Sequence, residues 1–311
     1  MISGAKMNSG VSRRPSGGGR RLANGQSSEL VTISRDGSDA QVIYHTNELI
    51  EAPNWTPDGQ WLIYNADGRL FRISPDGTIG PQRINSAPAE DLNNDHLLSP
   101  DGSLIYVSSG DGHLYVLPIG GGVPKRLSND QDRARGYKYY LHGISPDGET
   151  LAYVGLEREK GRTVTRICTI PAQGGADLVL TDGGCPVDGP EFSPDGRWMY
   201  FNAETAATVP GHAQCFRMRP DGSGLEQLTH DERVNWFPHP APDGSIHSFI
   251  SFPPGTLGHP ADRPVILRTM APDGSGIRDL DAFNGGQGSI NVNSWAPDSQ
   301  RLAYVRYPVA G

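Results

Sequence analysis

The block Ile144-Ser-Pro-Asp147-Gly148 decides the fold, because it returns six times along the chain. Successive aspartates of the block are 43, 46, 48, 48 and 55 residues apart. This spacing is typical of a β-propeller with one four-stranded blade per repeat. The other copies are Trp55-Thr-Pro-Asp58-Gly59, Leu98-Ser-Pro-Asp101-Gly102, Phe192-Ser-Pro-Asp195-Gly196, Pro240-Ala-Pro-Asp243-Gly244 and Trp295-Ala-Pro-Asp298-Ser299.

Each block predicts a tight turn between two short strands. Proline presets φ for the turn, aspartate hydrogen-bonds nearby backbone groups, and glycine supplies a positive φ without steric cost. A β-prone run follows every block, and a third strand with its own turn follows that run, as in residues 70–73 before Pro75-Asp76-Gly77. The runs after the blocks are residues 61–64, 104–107, 151–154, 198–201, 246–250 and 302–305.

The two ends of the chain complete one another. Residues 29–33 and 41–44 resemble a third and fourth strand, whereas residues 291–295 and 302–305 resemble a first and second strand. Sharing one blade between the termini removes the open edges of a linear array. The sequence therefore predicts an all-β fold, a six-bladed β-propeller over residues 29–311, closed by pairing N-terminal strands with C-terminal strands in one blade.

Residues 1–28 have a different composition from the rest of the chain. They are rich in glycine and serine and contain no acidic residue, which predicts a disordered tail. An arm for nucleic acid or an anionic surface is the alternative interpretation. The basic residues of the segment are Lys6, Arg13, Arg14, Arg20 and Arg21.

The charge of the body excludes some partners. The chain has a net charge of −8, and residues 29–311 carry 22 basic against 35 acidic side chains, or −13. Such a body repels phosphate groups, so we expect no nucleic acid partner on it. No run approaches the roughly 18 to 20 apolar residues of a membrane span. Three cysteines without metal-binding spacing argue against a disulfide framework. Since residues 1–28 hold no apolar signal segment, the sequence predicts a cytoplasmic protein.

The repeated aromatic or aliphatic residue before x-Pro-Asp-Gly, with Leu-x-Tyr after it, resembles the WD-like repeat of the TolB β-propeller family. The resemblance covers about residues 29–308. It implies a propeller that binds a protein or peptide, and it makes the periplasm the alternative location. TolB also has an N-terminal α/β domain, and residues 1–28 are too short to form one. Related propellers of peptidases accompany a G-x-S-x-G motif, which this sequence lacks.

Polar residues precede each block, where the innermost strands line the central channel. We expect these side chains to converge on one axis and to bind a ligand there. The Pro-rich insertion 252–260 predicts a surface loop at a rim. The candidate binding residues are Glu51, Asn54, Asn94, Tyr140, Asp188, Trp236 and Asn293.

Histidines in the same strands raise the alternative of a divalent metal in the channel. His96, His142 and His239, with Glu191 as a carboxylate ligand, provide donors that suit zinc, manganese or iron. The competing interpretation is that they are polar groups in contact with channel water. His96 and His142 lie five residues before their aspartate and His239 lies four before, so strand alternation aims them differently unless Pro238 shifts the register.

Two functions follow from these residues. The first is a protein- or peptide-binding scaffold with an acidic rim, in which Trp236, Tyr139 and Tyr140 are the anchors and Trp236→Ala removes binding without unfolding. The second is a metal-dependent lyase or hydrolase acting on a small carbohydrate at the channel mouth. Propeller-type oligogalacturonate lyases resemble this second arrangement, because they hold a metal with channel histidines.

Overall fold

A computed structural model of the protein describes residues 20–310, which form six antiparallel sheets and no α-helix. The first twelve strands are β1 (Ser28–Ser34), β2 (Gln41–Thr46), β3 (Glu51–Trp55), β4 (Leu62–Ala66), β5 (Arg69–Ile73), β6 (Gln82–Ile84), β7 (Leu92–Leu98), β8 (Leu104–Ser109), β9 (Leu114–Pro118), β10 (Lys125–Arg126), β11 (Lys138–Ile144) and β12 (Thr150–Glu159). The others are β13 (Arg162–Pro171), β14 (Leu178–Val179), β15 (Val187–Phe192), β16 (Met199–Ala203), β17 (Gln214–Met218), β18 (Glu226–Gln227), β19 (Val234–Pro240), β20 (His247–Phe252), β21 (Arg263–Met270), β22 (Arg278–Gly285) and β23 (Arg301–Arg306).

Five blades are four-stranded sheets of consecutive strands, in the orders β3-β4-β5-β6, β7-β8-β9-β10, β11-β12-β13-β14, β15-β16-β17-β18 and β19-β20-β21-β22. The first strand of each blade contacts the first strand of the next blade, so these strands surround the axis. The predicted six-bladed propeller is thereby confirmed. Within residues 20–310 the helical structure is a 3-10 turn at Arg133–Arg135, and no helix there is long and apolar enough to cross a bilayer.

The sixth blade pairs N-terminal strands with a C-terminal strand, as predicted. Its strand order is β2-β1-β23, and β1 pairs with β23 in a register that runs from Glu29↔Arg306 to Ser34↔Arg301. The innermost segment of this blade is less regular than the sequence predicts, and one bridge joins Trp295 to Leu302. Its backbone is diverted into local turns, since Gly288 N–H donates to the Asn291 side chain at 2.7 Å.

The repeated block folds as its residue types require. Asp58 Oδ1 accepts hydrogen bonds from Gln60 N–H at 3.0 Å and from the Thr56 hydroxyl at 2.5 Å, while Gly59 has a φ of 71°. In the sixth block Ser299 takes the glycine position with a φ of 60°, and its hydroxyl accepts the Asp243 N–H of the neighbouring blade at 2.9 Å. These aspartates have the predicted local role in the turn.

Apolar side chains of the strands fill the spaces between blades. The ring that follows each block is buried, as for Tyr64, Tyr153 and Tyr304. Burying one large apolar side chain stabilises the fold by about 1.5–3 kcal/mol. The core is therefore a ring of apolar clusters between blades.

Contacts with the propeller begin before the predicted boundary at residue 28. Arg20 donates to the Gln287 carbonyl at 2.7 Å, and Gln26 forms a bridge with Val309. Residues 20–28 of the predicted tail therefore contact the propeller, through acidic and carbonyl groups that composition alone does not reveal. The rest of the predicted tail, residues 1–19, lies outside the described residues.

The channel has two different ends. We call the end with the six repeated turns the turn end; there the innermost strands finish. We call the opposite end, where these strands begin, the loop end. It carries the connections between blades and the long loop 253–262 between β20 and β21.

Candidate functional site

The turn end opens into a cavity of about 310 Å³ that receives side chains from all six blades. The first residue of every block lines it, and the block prolines surround it. These two rings make its wall mainly apolar. The wall comprises Trp55, Leu98, Ile144, Phe192, Pro240 and Trp295, with Pro57, Pro100, Pro146, Pro194, Pro242 and Pro297 outside them.

Four of the predicted site residues also line this cavity and add polar groups to those of Thr56, Ser99 and Ser193: Asn54, His142, Glu191 and Asn293. Asn293 Nδ2 donates to Glu191 Oε1 at 2.5 Å and to the Pro240 carbonyl at 2.8 Å, which ties three blades together. The cavity therefore combines an apolar wall with a hydrogen-bonded polar interior.

His239 completes this polar interior from beneath. Its Nδ1 lies 2.5 Å from Glu191 Oε2, and its Nε2 lies 2.6 Å from the Ile290 carbonyl oxygen. Both ring nitrogens are thus in contact with oxygen atoms, and Glu191 and the Ile290 carbonyl fix the orientation of the imidazole. Breaking such a buried pair is costly, since it leaves one partner without compensation.

Six exposed carboxylates surround the turn end. They belong to the block aspartates, and each accepts a backbone hydrogen bond within its own turn. At Asp101 the Ser99 hydroxyl, the Ser103 backbone and the Ser103 hydroxyl lower the pKa to about 2. The cavity is thus an apolar opening inside an acidic rim. The rim residues are Asp58, Asp101, Asp147, Asp195, Asp243 and Asp298.

The loop end holds buried and half-buried titratable groups from different blades. His142 Nε2 lies 3.0 Å from Asp188 Oδ1, and His259 of the long loop lies 3.6 Å from the other Asp188 oxygen. Asp95 is 4% exposed and accepts a hydrogen bond from the Asn93 side chain at 2.8 Å. Glu51 is hydrogen-bonded to Asn94 beside this group.

Burial and neighbouring charges separate the acidities of these groups. Burial raises the pKa of Asp95 to about 6, with Asp188 adding to the effect and the two histidines opposing it. Burial also acts to raise the pKa of Asp188, but hydrogen bonds from His142 and His259 lower it overall. For His142, burial acts to lower the pKa, yet Asp95 and Asp188 raise it overall. Asp95 therefore becomes protonated on mild acidification, whereas Asp188 stays charged.

Bulges in the innermost strands decide which side chains reach the channel. The ladder shifts register between Glu51 and Asn54, and again between Asp188 and Glu191. A third shift lies between Trp236 and His239, where Phe237 adopts a φ of 55°. A bulge breaks the two-residue alternation. The register shift that the sequence left open at Pro238 is therefore present.

The four residues predicted as metal ligands do not gather into one cluster. His96 Nδ1 contacts the Asn65 side chain at 2.7 Å, His142 pairs with Asp188, and His239 pairs with Glu191. Each imidazole is engaged in a separate contact, and burial lowers the pKa of His96 to about 4. Among residues 20–310, no three His, Cys, Asp or Glu side chains are grouped so as to hold a metal ion.

The predicted aromatic anchors have other roles. Trp236 is 6% exposed and packs in an apolar core with its ring 4.5 Å from that of His259. Tyr139 is buried and its hydroxyl donates to Asp177 at 2.9 Å. Neither side chain presents an open surface to a partner in this structure. Tyr140 remains half-buried at the loop end.

Sequence reasoning missed the apolar ring at the turn end and His259 at the loop end. The apolar first position of every block is the sequence signal for the ring. His259 lies in the insertion 252–260, which the sequence predicts as a surface loop.

Comparison with known proteins identifies the family. No family model matches the chain. The Agrobacterium fabrum protein Atu1656, described as uncharacterized, is 38% identical over 271 residues, which are 86% of this chain and 88% of that protein. A solved Agrobacterium tumefaciens structure provisionally described as TolB is 36% identical, with a TM-score of 0.83 over 92% of this chain and 99% of that one. The chain belongs to the TolB-like β-propeller family.

More distant structures share the TolB-like fold alone. TolB from Acinetobacter baumannii is 18% identical with a TM-score of 0.61, over 85% of this chain and 65% of that one. Oligogalacturonate lyase in complex with manganese is 11% identical with a TM-score of 0.57, over 92% of this chain and 97% of that one. Identities this low transfer no site residues.

Proposed function

We propose that this TolB-like propeller is a protein-binding module whose turn-end cavity receives one apolar side chain of a partner segment with basic residues beside it. The observation that carries the proposal is the apolar cavity built by all six blades inside a rim of six exposed carboxylates.

The cavity fits a single large apolar side chain. Its volume of about 310 Å³ exceeds that of such a side chain, and its wall is mainly apolar. Burying a leucine or phenylalanine side chain there contributes about 1.5–3 kcal/mol. The wall stands at the ends of hydrogen-bonded strands and on tight turns, so little ordering is required when the partner binds.

The rim adds selectivity for basic neighbours of that side chain. Within residues 20–310, two of the six carboxylates already face an arginine: Asp243 lies 3.3 Å from Arg35 and Asp195 lies 3.4 Å from Arg197. The other block carboxylates remain open to a partner's Lys or Arg. Exposed charge pairs add little affinity but accelerate association and exclude acidic partners.

A random peptide library displayed on phage and selected on the wild-type protein tests the proposal. We expect enrichment of an aromatic or aliphatic residue flanked by Lys or Arg. Ile144→Arg places a long charged side chain at the cavity wall, and it should weaken the selected peptides by at least about tenfold, the loss of roughly one buried apolar contact.

Leu178→Arg is the matched control, because Leu178 is 58% exposed on the outer strand β14. It should leave peptide affinity unchanged, and thermal unfolding should show that both variants fold. Selected peptides that bind wild type and Ile144→Arg equally well would place the binding surface elsewhere.

A further inference from the structure

Arg20 inserts its side chain into a pocket at the loop end. The guanidinium donates to Asp262 at 2.9 Å and to the Gln287 carbonyl at 2.7 Å, and it lies 3.7 Å from Glu51. Its Cζ lies 3.8 Å from the centre of the Tyr307 ring. The side chain is only 13% exposed.

The pocket matches a planar guanidinium better than an ammonium group. A ring face, two carboxylates and a carbonyl oxygen surround the plane, which is the arrangement in which arginine and lysine differ most. Burial acts to lower the pKa of Arg20, but Tyr307, Asp262 and Glu51 raise it overall, so the group is charged. The pocket is formed by groups from three separate parts of the propeller.

Few contacts besides that of Arg20 hold the segment on its C-terminal side. Arg21 and residues 23–25 are exposed, although Leu22 packs against a core cluster. Backbone pairing with the end of the chain begins at Gly25, whose carbonyl accepts the Ala310 N–H at 2.8 Å. Arg20 Nε is buried without a partner in residues 20–310. The chain's own arginine thus leaves one of its guanidinium donors unsatisfied in the pocket.

We propose that this pocket is a recognition site for an arginine side chain of a partner protein, and that Arg20 occupies it within the chain until the partner displaces it. Glu51 connects the pocket to the channel, because it is also hydrogen-bonded to Asn94. The site is at the opposite end from the proposed peptide cavity and does not depend on it.

Binding of a blocked arginine, N-acetyl-arginine amide, to the Arg20→Ala variant tests this proposal. The emptied pocket should bind the probe at least about tenfold more tightly than it binds N-acetyl-lysine amide, since both probes carry one charge but only arginine has the planar fork. Wild type and Arg21→Ala, which keep Arg20 in place, should bind the arginine probe at least about tenfold more weakly than Arg20→Ala. NMR titration detects such weak binding.

Arg20→Ala/Asp262→Asn should lose the binding that Arg20→Ala gains. In wild-type protein, a high concentration of the arginine probe should accelerate hydrogen exchange of the amides of residues 21–25, a measurement that needs no variant. If a folded Arg20→Ala variant bound neither probe, or bound both equally, the Arg20 contact would serve only to stabilise the fold. Either result would overturn the proposal.

Discussion

The two ends of the channel differ in how their polar groups are paired. At the turn end, every blade contributes the same five-residue block, and each aspartate is hydrogen-bonded within its own turn. At the loop end, the groups come from different blades and contact each other, as His142 and His259 contact Asp188. The repeat supplies a uniform frame, whereas unrepeated residues supply the buried charges.

This difference predicts where the protein tolerates change. Groups that are satisfied within one turn are replaced at a small cost, because no other blade relies on them. Groups that neutralise one another across blades are coupled, so removing one alters the others.

The largest expected effect is that of Trp236→Ala at the loop end. The variant leaves a cavity in a buried core next to His259, so we expect the free energy of unfolding to fall by about 3–5 kcal/mol. Urea unfolding followed by circular dichroism measures the loss. The control is Trp61→Ala, where the half-exposed ring packs against Arg72 at 4.4 Å and the loss should be about 1 kcal/mol. Equal losses would contradict the assignment of Trp236 to the core.

The next effect is a pH dependence that distinguishes the two ends. The pKa of Asp95 is about 6 in the folded protein against 3.8 as the ordinary value. Because folding raises this pKa, Asp95 stabilises the folded protein most when the pH is below its ordinary pKa. This contribution to the free energy of unfolding is lost as the pH rises through about 6. Asp95→Asn removes this loss, so its stability relative to wild type should rise by on the order of 3 kcal/mol between about pH 4 and pH 7.

Asp101→Asn at the turn end is the opposite case. Its pKa is lowered to about 2 in the folded protein. The contribution of Asp101 to the free energy of unfolding is therefore complete above its ordinary pKa and is lost only in more acidic solution. Denaturant unfolding of this variant should run parallel to wild type between about pH 4 and pH 7. If the stability of Asp95→Asn relative to wild type did not change between about pH 4 and pH 7, Asp95 would not be buried in the folded protein as described.

The smallest expected effect is that of Ser145→Ala in the third block. The Ser145 hydroxyl donates to Asp147 at 2.5 Å and accepts the Thr150 N–H at 2.9 Å. Its loss should cost about 1 kcal/mol, the net value of a local hydrogen bond. Ala241 already occupies this position in the fifth block, so Ala241→Ser should change stability by less than about 0.5 kcal/mol. Calorimetry measures the free energy of unfolding of both variants. A loss of several kcal/mol for Ser145→Ala would show that the turns are not independent of one another.

The propeller fold could be predicted from the sequence because every blade repeats the same local turn and strand chemistry. The Pro-Asp-Gly turns, the ring after each block and the shared sixth blade all follow from residues close together in the chain. The pairing of Glu191 with Asn293 joins positions 102 residues apart, and no local pattern encodes it.

The site was only partly predictable, because backbone bulges decide which side chains face the axis. Ala52 and Phe237 adopt φ values of 54° and 55°, although neither residue type favours them. The predicted polar residues do lie along the channel, but they are divided between its two ends. The role of Arg20 was hidden for a similar reason, since composition shows a basic segment but not the carboxylates that receive it.

The sixth blade has a consequence for biosynthesis. β1 leaves the ribosome before five blades are made, and its partner β23 is translated after all of them. During that interval the N-terminal hairpin has an unsatisfied edge, which is the kind of surface that nascent-chain chaperones protect. The ring can close only after β23 has emerged, so final assembly of this propeller follows translation of its last strand.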